Sequence, residues 1–344
     1  MQTANYHELT AFIGAPESVA DRLCQAAQAA TTDGEAEALR LFGALPAAIG
    51  RHREMGVPER ITRDTFHDLV IALENYAASH GGAFGIDCYG EWLRHHFECN
   101  LFQVGRLQYI LKPYQGYARL FVDDATGEII LTAENGITFR GDGLMDYDDG
   151  SPGKALMPAC ESHWTSEYDD DGRHIRANCL LVNGRAVRTS LLLDKAAWRP
   201  ALNKGGFSLN IHIPRGQSLT REACVASLRD AWRFFRTFFP DRRAETFDCG
   251  SWMLETKLQD ILPPSSGLVQ FLLLFRRYPL KTSSWSFLHR IFGAEPTSVS
   301  DLAAFARTAD RGTALRRGVA DTWLAGGHLT SAGGIIHQYD LMKL

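Results

Sequence analysis

Apolar residues in the first hundred positions recur at helical spacing. Between Ile61 and His80 the residues Phe66, Leu69, Val70, Leu73, Tyr76 and Ala77 form one stripe, and Gly81 and Gly82 follow it. The pattern predicts one helix over 61–80, with Thr62 placed to cap its start. Asp87 to Phe102 reads as a second helix, carrying Trp92, Leu93, Phe97 and Leu101. The adjacent His95 and His96 cannot point both rings one way, so the pair marks a boundary between faces rather than a metal site. From Glu17 to about Val104 the chain reads as a small helical domain with its polar faces outward.

After Gly105 the period shortens from helical to alternating, first in RLQYIL and then in YARLFVDDATGEIILTAENGITF, where Thr126 and Gly127 separate two strands. The Asp- and Gly-rich stretch 141–154 and the acidic 168–172 read as loop and turn. Residues 178–185 and 187–193 form a strand pair turning at Asn183 and Gly184. In FSLNIHIP, residues 207–214, Phe207, Leu209, Ile211 and Ile213 face one way, and Ser208, Asn210 and His212 face the other. A loop over 214–219 leads into a long helix starting near Thr220, with a stripe of Cys224, Leu228, Ala231, Trp232, Phe235 and Phe239. A strand over 247–252, a short helix over 255–262 and a buried strand over 267–275 complete the unit. The expected fold is α+β, with helical residues 1–104 followed by a mostly antiparallel mixed sheet flanked by helices over 105–344.

A chain of 344 residues with 45% hydrophobic and 22% charged residues has material for one large or two medium cores. The net charge of -4, with Lys and Arg scattered, gives no footprint for nucleic acid or an anionic membrane. No apolar run approaches the roughly 20 residues that cross a bilayer. The start MQTANYHELTAF lacks the basic and apolar blocks of a secretory signal. Seven widely spaced cysteines fit reduced thiols, and the expected location is the cytoplasm.

Titratable residues mark one region. His212 shares the polar face of a core strand and is the candidate base, against the plain alternative of a hydrogen-bonded core histidine. Ser208 and Asn210, on the same face, orient substrate or satisfy one another. Cys249 and Ser251 lie on one face of the next strand, where either can supply a proton to a leaving group. Ser251 is preferred, because a buried cysteine is more often apolar filler. Trp252 is a substrate contact or packing. Cys160, His163, His174 and Cys179 are residue types that bind zinc, but their spacing is loose and no metal is expected. Asp146, Asp148 and Asp149 do not fit a calcium loop.

Longer words narrow the reading. NIHIPRGQSLTREACVASLRDAWRFF, FDCGSWMLETKLQDILPPSSGLVQF and GTALRRGVADTWLAGGHLTSAGG resemble the GNAT-like C-terminal acyltransferase family. RHREMGVPERITRDTFHDL and GRLQYIL resemble its helical partner, the N-acyltransferase N-terminal domain. The resemblance implies transfer of an acyl group from a thioester, acetyl-CoA or another acyl-CoA or an acyl carrier protein, to a small-molecule or peptide amine by direct attack. It implies no metal, and no nucleic-acid or membrane partner is expected. The pyrophosphate is then expected at the start of the helix near Thr220, with Ile213, Arg215, Gly216, Gln217, Ser218 and Thr220 as cofactor-binding candidates. Two positions depart from the family pattern: Arg215-Gly216-Gln217-Ser218 replaces a Gly-rich loop, and Gly250 stands where an acidic residue is common. The alternatives are a non-catalytic acyl-CoA or partner-binding module of the same fold, and a hydrolase using Cys249 or Ser251 with His212.

Overall fold

The computed structural model describes residues 5–29, 32–87, 90–146, 160–216, 218–282, 284–295 and 298–343. Along the chain come α1 (Tyr6–Phe12), α2 (Glu17–Gln28), α3 (Asp33–Glu54), α4 (Glu59–Phe66), α5 (Asp68–Ser79) and α6 (Gly90–Phe97). Strands β1 (Leu101–Val104), β2 (Leu107–Pro113), β3 (Ala118–Asp123), β4 (Glu128–Ala133), β5 (Thr138–Arg140), β6 (His163–Thr165), β7 (Tyr168–Asp170), β8 (His174–Leu181), β9 (Arg185–Asp194), β10 (Trp198–Leu202) and β11 (Phe207–His212) follow. The remainder is α7 (Arg221–Phe238), β12 (Thr246–Ser251), α8 (Leu258–Ile261), α9 (Gly267–Leu272), β13 (Arg276–Pro279), α10 (Trp285–Phe287), α11 (Leu302–Thr308), α12 (Ala314–Leu324), β14 (Ala332–His337) and α13 (Gln338–Lys343).

The chain divides into two compact units. The first comprises Met1–Leu111, Ile211–Gln217 and Glu222–Arg243. Its helices bury Phe42, Leu45, Phe66 and Leu69 in one core. Thr32 and Glu35 form a reciprocal capping box at the start of α3, satisfying two backbone donors that a helix start leaves open. In the same unit β1 and β2 form a hairpin that turns at Gly105, whose φ of +67° suits a residue without a Cβ. Ser227 of α7 locks this hairpin by accepting from Leu107 N at 3.1 Å and meeting Tyr109 Oη at 2.8 Å.

The second unit comprises Lys112–Asn210, Ser218–Arg221 and Ala244–Leu344. One of its sheets runs β10-β3-β4-β8-β7, with β9 on β8. The other contains the adjacent strands β11, β12, β14 and β13. Leu120, Leu131, Tyr278 and Ile335 lie in one core shared by both sheets. The pair β11–β12 is parallel, with Leu209 opposite Phe247 and Asn210 opposite Asp248. Beyond that point β12 keeps its register with β14 through Ser251 and Ala332.

The α+β class and the strand pairs around Gly127 and Gly184 match the sequence reading. Several elements differ. The helix expected over 61–80 is two helices, and the break falls at His67, whose Nδ1 lies 2.8 Å from Ile13 O. Thr62 is inside α4 rather than capping it, because Pro58 occupies the cap. The expected helix over 87–102 ends at Phe97, and Leu101 begins β1. Tyr168–Asp170 is a short strand rather than a turn. The expected strand over 267–275 is helix α9, continued by turns from Phe271 O and Leu272 O. A short, nearly unbroken apolar run carries no readable period, and burial of Val269, Phe271 and Leu272 is compatible with either state.

Candidate functional site

The polar residues of β11 and β12 converge where the two strands pair. Ser208 and Thr246 are fully buried, and Asn210 and Asp248 are each only 9% exposed. Thr246 Oγ1 donates to Ser208 Oγ at 3.1 Å, and Ser208 Oγ donates to Thr246 O at 3.2 Å. Asn210 Nδ2 donates to Asp248 Oδ2 at 2.6 Å. The second carboxyl oxygen, Asp248 Oδ1, is buried without a hydrogen-bond partner. Burial pushes the Asp248 pKa up, against the opposing pull of Ser208, Asn210 and the Lys112 charge.

Two tyrosines adjoin this cluster in the second unit. Tyr114 Oη donates to Tyr278 Oη at 3.0 Å. Burial, with a smaller contribution from the Asp248 charge, keeps both phenols protonated far above their usual range. The Tyr278 ring lies flush against Gly333 of β14, where any Cβ would overlap the ring atoms. Glycine at 333 therefore sets how closely this tyrosine approaches the sheet.

The neighbouring candidates on β12 have other partners. Cys249 is 3% exposed, and burial followed by the Asp248 charge pushes its thiol pKa up, opposite to what activates a nucleophile. Ser251 Oγ accepts from Met253 N at 3.1 Å and caps the 3-10 turn Trp252–Leu254. Trp252 meets the edge of Phe287 at 5.6 Å.

In the first unit His212, half-buried, packs against Trp92 with ring centroids 4.5 Å apart. Trp92 Nε1 donates to Asp68 Oδ2 at 3.3 Å, and His96 Nε2 lies 2.9 Å from the same oxygen. Burial would raise the Asp68 pKa, but hydrogen bonds from His96, Gln108 and Trp92 and the His96 charge outweigh it and lower it. Behind this group His52 is wholly buried between Phe66 and Phe102, and burial lowers its pKa to about 4, helped by Arg51 and His96.

The segment after His212 carries the phosphate-binding candidates. Ile213 is half-buried, and Arg106 Nη1 donates to Pro214 O at 3.0 Å. Arg215 is exposed and donates to Asn75 Oδ1 at 2.8 Å. Gly216 has φ +117°, a conformation that favours glycine, and no atom lies within 4 Å of where its Cβ would be. Gln217 lies outside the described residues. Ser218 and Thr220 are exposed just before the 18-residue α7, whose first backbone N–H groups have no intrahelical acceptor.

The four residues weighed for zinc do not come together. His163 Nε2 lies 2.6 Å from Asp146 Oδ2, Cys160 Sγ donates to Ser162 O, and His174 pairs with Asp171 at 3.6 Å. Among the described residues no group of three or more His, Cys, Asp or Glu side chains is arranged to hold a metal ion. Asp148 and Asp149 lie outside the described residues.

Asp248, Tyr114, Tyr278 and Asp68 are absent from the sequence reading. Asp248 had a signal, since a carboxylate inside the apolar run FDCGSW must be buried and needs a partner. The tyrosines and Asp68 had none, because their partners are remote in the chain.

Residues 3–99 match the N-acyltransferase N-terminal domain and residues 101–336 match the GNAT-like C-terminal domain. The class defined is thus an acyltransferase with a helical leading domain. The chain belongs to the GNAT-like acyltransferase family. Among solved structures it is similar to an acyltransferase in complex with decanoyl-CoA and teicoplanin, at 16% identity and a TM-score of 0.59, covering 98% of this chain and 89% of that one. A mutant acyltransferase in complex with octanoyl-CoA gives the same identity and TM-score, with 98% and 88% covered. An acyltransferase with decanoyl-CoA gives 18% identity and a TM-score of 0.52, and here the chain covers 86% of itself and 64% of that chain. No curated protein matches this chain.

Proposed function

We propose that this protein is an N-acyltransferase that moves an acyl group from acyl-CoA to an amine acceptor by direct attack. The observation carrying the reading is the short parallel pairing of β11 with β12, after which β12 continues alone with β14. Strands that pair briefly and then diverge leave a slot for a thioester beside the polar face of β11.

His212 takes the proton of the acceptor ammonium, and Ser208, Asn210 and Trp252 are assigned to orienting the acceptor. Ser251, in preference to Cys249, protonates the departing thiolate. Ile213, Arg215, Gly216, Ser218 and Thr220 hold the pyrophosphate at the start of α7, and Gln217, expected with them, lies outside the described residues. An exposed arginine, an open glycine backbone and the positive end of the helix dipole fit such an anion. The boundary between the helical domain, 1–104, and the transferase domain, 105–344, is supported by the two matched ranges.

Two neighbours carry decanoyl-CoA and one octanoyl-CoA, which favours a medium-chain donor over acetyl-CoA. One of them also holds teicoplanin, so an amine on a peptide-like scaffold is the acceptor class to try first, with an acyl carrier protein as a second thioester source. Among the described residues no helix is long and apolar enough to cross a membrane, which fits work on CoA esters in the cytoplasm. Binding without catalysis is the second reading, favoured by Gly250 in place of an acidic residue.

A thermal-shift series with CoA, acetyl-CoA, octanoyl-CoA and decanoyl-CoA, followed by mass spectrometry for an amide, tests the proposal. The midpoint rises with CoA esters because they bind only the folded state. A rise without any amide supports binding alone, and no rise with any ester removes both readings.

A further inference from the structure

We propose that Trp92, in the helical N-terminal unit, is a positioning residue for His212: it holds the imidazole against its indole face and stabilises the imidazolium formed during transfer. The inference rests on the reading of His212 as the base.

The two rings are 4.5 Å apart between centroids, tilted by 55°, within reach of a cation–π contact. The indole itself is fixed. Its N–H is its single hydrogen-bond donor, and Asp68 Oδ2 accepts it at 3.3 Å. Asp68 is in turn held: it is 7% exposed, His96 Nε2 lies 2.9 Å from the same oxygen, and Gln108 bonds to it as well. A carboxylate with this many partners cannot swing away cheaply, so the plane of the indole is set by buried groups on α5, α6 and β2. Among the described residues, the charged and titratable groups on the elements packed here include Asp68 on α5, His95 and His96 on α6 and His52 on α3, while Arg106 donates to Pro214 O and Arg215 to Asn75. Asn210, two residues before His212 on β11, donates to Asp248 of β12.

The proton balance is simple. His212 takes one proton from the acceptor ammonium, the freed amine forms the C–N bond, and the C–S bond breaks. Ser251 gives its proton to the departing thiolate and takes the second proton from the nitrogen in exchange, and His212 returns its own proton to water. The positive charge thus appears on His212 only during turnover, when the indole face helps most.

The test uses the full chain. With histidine labelled at Cε1, NMR titration gives the His212 pKa, assigned through His212→Gln. Trp92→Leu is expected to lower that pKa by about half a unit, and Trp92→Phe, which keeps an aromatic face, by less. Octanoyl transfer to an amine should lose roughly tenfold in kcat in Trp92→Leu, with the KM for octanoyl-CoA unchanged and no further loss in a His212→Gln background. An unchanged His212 pKa in Trp92→Leu, or an equal kcat loss in the His212→Gln background, overturns the proposal. Should Trp92→Leu not fold, the pKa in Trp92→Phe decides alone. Absence of turnover in the unaltered protein would count against acyl transfer, and the titration would still judge the contact between the rings.

Discussion

Asn210 Nδ2 donates to Asp248 Oδ2 at 2.6 Å across the last register that joins β11 to β12. This bond places a buried carboxyl, with its other oxygen unpartnered, where the two strands separate.

Asp248→Asn keeps the shape and removes the ionisable group. Acyl transfer should fall by about 10²-fold, if the carboxyl acts on protons in the slot. Stability should move the other way. The folded pKa of Asp248 is raised, so its contribution to stability is present below the unfolded value of 3.8 and is lost as pH rises through the folded value. Asp248→Asn should therefore remain folded at neutral pH with a melting temperature at or above that of the parent, and it should lack this part of the pH dependence. A large drop in its melting temperature would mean the carboxylate is held by partners other than those seen.

Gly333→Ala would push a methyl group into the Tyr278 ring. Overpacking of a filled core costs about 1–3 kcal/mol, and the Tyr114 to Tyr278 bond would be displaced with it. Urea unfolding should show a lower midpoint with an unchanged slope. Equal stability would mean the ring has room to withdraw.

His52 gives the helical unit a pH limit. Its folded pKa of about 4 lies below the ordinary histidine value of 6.5. The stability it supplies is present above 6.5 and is lost as pH falls from 6.5 through about 4, because the unfolded chain binds the proton first. His328 in the second unit, also lowered to about 4 by burial, works in the same window. Melting temperatures measured from pH 7 to pH 4 should fall, and His52→Leu should fall less steeply. Parallel curves would show that His52 is not buried in its neutral form.

Cys249 should not react. A thiol with a raised pKa inside the core is neither a nucleophile nor open to reagent. Iodoacetamide should leave Cys249 unlabelled in the native protein, and Cys249→Ala should keep most of the acyl transfer. A covalent acyl group on Cys249 by mass spectrometry would instead support the hydrolase.

The alternating strands were legible because period two is unmistakable in FSLNIHIP and on either side of the Gly127 and Gly184 turns. Glycine with positive φ marks those turns in sequence and structure alike. The run GLVQFLLLF was not legible, since neighbours rather than period decide a short apolar segment. The pairings of Asn210 with Asp248, of Tyr114 with Tyr278 and of Trp92 with Asp68 span 38, 164 and 24 residues and arise only on folding. Local spacing pointed to the polar face of β11 and to the loop before α7, and it was silent on the groups that hold them.

The most direct test of the central idea follows free CoA thiol released from octanoyl-CoA by the purified protein, with and without a primary amine. Direct attack predicts release that requires the amine, matches the amide formed mole for mole and shows no burst before the amine is added. Equal release without the amine, or a burst equivalent to one acyl group per protein, would contradict it.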